Sequence, residues 1–204
     1  MRVLILSTEF PPGPGGIGAH AFNLAGQLHA RGASVRVLSP QDYVPAGEAE
    51  AWTSRQPFAV ERLPHLPGAP LQGAWWALRL ARALRRHRAE VLVATGQRAV
   101  WLAAACSRGE GLRLVAVGHG TEFGARRAWQ RRLNARAFGA ADLVISVSHF
   151  TRGFMLENGI EPARDAVIPN GADGVFFRPP MTWELEDFIR RHPFASGPLL
   201  VTVG

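Results

Sequence analysis

The sequence predicts an α/β fold, a parallel sheet covered by helices on both faces. Two observations carry this. Short, continuous apolar runs rich in valine, isoleucine and leucine recur along the chain, as strands buried on both faces require. Between them lie stretches with apolar residues at helical spacing, and strand-helix alternation is how a parallel sheet is wound. A third observation says where a ligand would sit. The expected strand ends carry Gly15-Gly16, Thr95-Gly96, His119-Gly120, Ser146 to Ser148 and Asn170-Gly171, and ligands of open parallel sheets bind beyond the carboxyl ends of the strands.

In chain order, Val3-Leu4-Ile5-Leu6 reads as a buried strand and Ala21, Leu24, Ala25 and Leu28 as one face of a helix. Arg31-Gly32 stops that helix before a second strand, Ser34 to Ser39. Residues 40 to 57, with Pro40, Pro45, Gly47 and several acids, read as a long surface excursion, followed by a short strand Phe58 to Leu63. Trp76, Leu80, Ala83, Leu84 and His87 then line one side of a helix whose other side holds Arg79, Arg82, Arg85, Arg86 and Arg88. Strands are expected over Glu90 to Thr95, Leu112 to Val117, Asp142 to Val147 and Ala166 to Pro169. The helices among them run Val100 to Cys106, about Arg126 to Phe138, and Phe150 to Glu157 with Ser148 as N-cap and Asn158-Gly159 as stop. Met181 to His192 suits a helix. Leu199 to Val203 resumes as an apolar strand, either the opening of a further domain or one more edge of the same sheet.

Length and composition narrow the function classes. At 204 residues with 47% hydrophobic side chains, one sizeable core can be buried. No apolar run approaches the ~18 to 20 residues of a membrane span, and the N-terminal run is too short for a secretory signal. A single cysteine, Cys106, excludes an internal disulfide, fits a reducing cytoplasm and reads as a small buried hydrophobe. Net charge is +7 and all 23 basic residues are arginine, which favours anionic partners. The absence of lysine looks like coding bias. Nucleic acid is not expected, since there is no zinc spacing, RNA-binding aromatic motif or basic tail. His20, His29, His65, His87, His149 and His192 show no metal-ligand spacing, so no metal site is assigned.

The densest stretch is Ser7 to His20, with Gly13-Pro14-Gly15-Gly16-Ile17-Gly18 between the first strand and the first helix. Glycine there lets backbone approach a ligand, and the free amides at a helix start favour an anion such as a phosphate. Taken literally the stretch also fits the G-x-G-x-x-G dinucleotide pattern, but Glu9-Phe10-Pro11-Pro12 delays it and Pro14 sits inside it. The acid expected ~20 residues on has only Asp42 as a candidate. A tight turn with no ligand is the plain structural reading.

Several segments in order resemble the N-terminal half of the retaining GT-B glycosyltransferases of family 4. They are Phe10-Pro11-Pro12 with Gly15-Gly16-Ile17-Gly18, Arg31-Gly32, His119-Gly120-Thr121-Glu122, Ser148-His149-Phe150-Thr151, and Val167 to Asp173 with Phe177-Arg178-Pro179. The resemblance implies two Rossmann-like domains facing a cleft. Residues 1–180 would be the acceptor-side domain, and 181–204 an interdomain helix with the first strand of a donor domain. It places Gly15 and Gly16 under the donor diphosphate and His119 near the transferred sugar, as hydrogen-bonding group rather than nucleophile. Thr121, Glu122, Arg126, Ser148, Asn170 and Gly171 fall on the acceptor or cleft side. Glu122 either binds acceptor hydroxyls or caps the next helix, Asn170-Gly171 suits a turn with positive φ at the glycine, and Asp173 is a turn residue.

The activity implied is sugar transfer with retention from a nucleotide-sugar donor to a sugar- or lipid-linked acceptor, with no cofactor, these residues alone being inactive. The location implied is cytoplasmic, peripheral on the inner membrane face being an option. The run Arg126, Arg127, Arg131, Arg132 and Arg136 would face an anionic surface with Trp129 as anchor, or form a solvated face with Trp129 and Leu133 packed inward. The alternatives are a non-catalytic membrane- or partner-binding module and a nicotinamide-dependent enzyme.

Overall fold

The computed structural model describes residues 1–40, 44–64, 69–107, 111–124, 127–171 and 179–192. Seven parallel strands form one sheet: β1 (Arg2–Ser7), β2 (Ser34–Pro40), β3 (Ala59–Leu63), β4 (Val91–Thr95), β5 (Arg113–Gly118), β6 (Leu143–Ser146) and β7 (Asp165–Val167). Their order across the sheet is β3-β2-β1-β4-β5-β6-β7, so the chain winds outward from β1 in one direction and then in the other. Helices α1 (Gly16–Ala30), α2 (Ala46–Thr53), α3 (Ala69–His87), α4 (Gln97–Cys106), α5 (Ala128–Gly139) and α6 (His149–Glu157) connect them, and α7 (Thr182–Arg191) follows.

The continuous apolar runs have the physical cause assigned to them. Successive residues of a strand point to opposite faces. Val3 and Ile5 enter one core with Ala21 and Ala25 of α1, while Leu4 and Leu6 enter the other with Leu80, Val100 and Phe138 from α3, α4 and α5. A strand that feeds two cores has no polar face to alternate.

Residues 40 to 57 differ from the expected excursion. Residues 46–53 form α2, whose Ala49 is fully covered and whose Trp52 packs edge-on to Phe10 at 5.9 Å. An eight-residue helix with so few inward positions leaves too little periodicity to see. The basic helix α3 buries Leu80 and Ala83 as its pattern requires. The last predicted strand is outside the described residues, as are Arg126 and Asp173.

Met1–Asn170 forms one compact unit and Gly171–Gly204 a second. In the second, α7 carries Asp187 paired with Arg190 and Arg191, at 3.1 and 2.6 Å.

The two borders of the sheet differ from its centre. On β3, Glu61 pairs with Arg79 of α3 and lies 4.0 Å from Arg36. On the three-residue β7, Asp165 pairs with Arg152. A hollow of about 260 Å³ beside the β3 border is lined by Arg36, Glu61, Arg79, Arg82 and Arg86, away from the strand tips.

Candidate functional site

The site forms where β1, β4 and β5 end side by side. After Ser7 the chain turns through Thr8 to Gly15 into α1, and the Thr8 amide donates to the Thr95 carbonyl at 3.2 Å, joining this loop to the tip of β4. Phe10 is its buried anchor, ringed by Phe22 and Trp52. Arg62 of β3 lies over both the Phe10 and Trp52 rings, at 5.4 and 5.8 Å, and donates to the Pro11 carbonyl. The edge strand therefore fixes the shape of the loop. Burial lowers the Arg62 pKa from its ordinary value.

The two predicted glycines do different things. Gly15 has φ 135 and ψ 138, a conformation essentially reserved for glycine, and the Glu9 carboxylate occupies the place a Cβ would take. Gly16 is the first helical residue, and a Cβ built on it meets nothing within 4 Å. No side chain caps the first turn of α1. The space over Gly16 is open, and the helix start beneath it has amide donors free for an anion.

One turn further, His20 brings its ring edge-on to His119, with centroids 5.0 Å apart and planes at 80°. His119 follows β5, and its Nε2 lies 2.8 Å from the Thr95 hydroxyl at the tip of β4. Burial and the neighbouring His119 lower the His20 pKa to about 4, and burial lowers that of His119. Both rings are therefore neutral at neutral pH. Neither the sequence pattern nor the resemblance singled out His20; its signal was a polar ring four residues into the helix from Gly16.

Glu122 turns its carboxylate back into its own loop and does not cap a helix. It is 3% exposed, and its carboxylate accepts from the amides of His119 at 3.1 Å and Gly120 at 2.8 Å. The loop thus engages the carboxylate that the resemblance places on the acceptor or cleft side. Burial pushes its carboxyl up, against the opposing pull of the surrounding amides. Beneath the loop, buried Asn134 donates to the Glu122 carbonyl at 2.6 Å and accepts from the Trp101 indole at 2.7 Å and Gln97 at 3.1 Å. Gly120 has φ 112 and approaches the hydroxyl of Thr151 in α6.

The remaining predicted positions are more loosely placed. Ser148 caps α6, accepting from the Thr151 amide at 3.0 Å, so its hydroxyl serves the helix. Thr121 is exposed on the His119 loop. Asn170 and Gly171 are exposed after β7, and Gly171 lacks the positive φ expected of it. On α5 the inward positions are Asn134, Ala137 and Phe138, whereas Trp129 and Leu133 are 53% and 37% exposed. The expectation that these two pack inward is therefore corrected. No group of three or more metal-ligating side chains occurs among the described residues, and none of the described helices is long and apolar enough to cross a membrane.

Residues 14–174 match the family profile of Glycosyltransferase Family 4. No curated protein sequence matches. Among solved structures, Anabaena Alr3699/HepE in complex with UDP and glucose superposes with TM-score 0.74 at 19% identity, over 94% of this chain and 50% of that one. Sucrose-phosphate synthase from Thermosynechococcus elongatus gives 0.73 at 14% identity, over 95% and 53%. A glycosyltransferase from Rickettsia africae gives 0.73 at 16% identity, over 96% and 50%. The chain spans about half the length of each. The parallel sheet, the tip arrangement and a profile match over most of the sequence lead to one assignment: the chain belongs to glycosyltransferase family 4.

Proposed function

We propose that this chain is the acceptor-side half of a glycosyltransferase that moves a sugar from a nucleotide-sugar donor to a sugar- or lipid-linked acceptor with retention and without a cofactor. The observation that carries this is the uncapped, open start of α1 at Gly16, one helical turn from the His20–His119 pair. The amide of Gly16 and the end of the α1 dipole suit a diphosphate oxygen. His119, anchored through Nε2 to Thr95, suits a hydroxyl of the sugar or the developing charge at its anomeric carbon. The donor nucleotide would be held chiefly by a second domain, since the solved relatives are about twice as long as this chain. Residues 181–204 would lead into that domain.

The test pairs binding with turnover. UDP-glucose, the ligand of another Anabaena HepE complex, should shift the Gly16 amide resonance of the 204-residue chain weakly, with no turnover of labelled donor. A protein carrying both domains should transfer the sugar with its anomeric configuration retained. Turnover by these residues alone, or inversion, refutes the reading.

A membrane-peripheral location on the cytoplasmic face fits α5, where exposed Trp129 and Leu133 stand among Arg127, Arg131, Arg132 and Arg136. Flotation with vesicles containing phosphatidylglycerol should carry the chain at low salt and release it at high salt; equal flotation with neutral vesicles counts against it.

A further inference from the structure

Two features of His20, and one of His119, are not explained by packing. Its Nδ1 is buried with no hydrogen-bond partner. Such a nitrogen destabilises a fold where an apolar ring of similar shape would not. Its Nε2 also has no partner, yet it is not sealed from solvent. The same holds for Nδ1 of His119, whose other nitrogen is taken by Thr95. Two unpaired, solvent-reaching imidazole nitrogens thus stand on rings 5.0 Å apart, one turn beyond the open face of Gly16.

We propose that His20 is a second ligand-contacting residue of this site, presenting Nε2 beside Nδ1 of His119 to a hydroxyl or phosphate oxygen of the bound nucleotide sugar. The inference rests on the nucleotide-sugar reading above. A neutral imidazole carries one N–H donor and one lone pair, so two of them offer a ligand oxygen either partner it needs. The edge-on contact fixes each ring plane against the other, and the Thr95 hydroxyl fixes His119 from the far side. Neutral rings suit this task, because two imidazolium ions at that separation would repel. Glu122 stays behind the His119 amide and Glu9 over Gly15.

The experiment uses UDP-glucose and the ¹⁵N-labelled chain. Binding should move the Gly16 amide and the His20 imidazole nitrogen together. His20→Phe keeps a ring and removes both nitrogens; it should weaken UDP-glucose binding at least tenfold while melting no lower than the wild type. His20→Gln, which restores one donor and one acceptor, should recover part of that loss. A Gly16 shift with an unmoved His20 nitrogen, or wild-type affinity in His20→Phe, overturns the role of His20 and leaves the transferase reading standing. No shift at either group overturns both.

Discussion

Removing the Glu122 carboxylate is the sharpest probe of how the His119 loop is held. In Glu122→Ala the amides of His119 and Gly120 lose their acceptor inside a covered loop. Each buried amide left unpaired destabilises by about 1–3 kcal/mol, so the pair together gives about 2–6 kcal/mol. For a unit the size of Met1–Asn170, at about 2–4 °C per kcal/mol, that lowers Tm by roughly 4–24 °C. Glu122→Gln behaves differently, since one carboxylate oxygen accepts from both amides and a carboxamide oxygen can take its place. The pH dependence follows from the raised carboxyl. A folded-state pKa above the unfolded one means that the folded protein holds the proton more tightly. The stability this group contributes is therefore present below the ordinary carboxyl range and lost as pH rises through the raised value. Glutamine cannot ionise, so its variant should gain on the wild type as pH rises above the ordinary carboxyl range. Urea unfolding of the three proteins at several pH values is the assay. If Glu122→Ala melts within a degree or two of the wild type, the clasp does not hold the loop.

Gly15→Ala and Gly16→Ala should separate strain from binding. The first forces alanine into a glycine-only conformation and should lose about 1–3 kcal/mol. The second fills open space at the helix start and should melt no lower than the wild type, yet weaken nucleotide-sugar binding. Equal melting of the two variants by calorimetry contradicts this. Asn134→Ala removes the shared partner of Gln97, Trp101 and the Glu122 carbonyl and should destabilise by about 2–4 kcal/mol in denaturant titrations. His20, with its pKa lowered from 6.5 to about 4, takes up a proton on unfolding in that interval. Its contribution to stability is thus lost as pH falls from about 6.5 toward 4. His20→Phe should flatten that part of the stability curve, measured as the difference from wild type.

The strands were readable because a strand that feeds two cores is written as an unbroken apolar run, as in Val3 to Leu6. The Ser148 cap was readable because capping is local chemistry. What could not be read depended on partners distant in sequence. The His20–His119 contact joins residues about a hundred apart through the order β1-β4-β5, which is set by pairing and not by any local pattern. Glu122 looked available because a sequence does not show that two amides of its own loop would turn it inward. The glycine pair stood out in the sequence, but which of its members is strained and which lies open depends on the folded loop.

An open parallel sheet has two free ladders, and an unpaired ladder is a template on which further copies can stack. The charged borders described above answer that hazard. On β3, a carboxylate held by guanidinium groups would have to be stripped of them before another strand could dock, while β7 is three residues long and carries its own ion pair. The ionic edging thus guards the flanks against amyloid-like growth, and it asks nothing of the hydrophobic interior to do so.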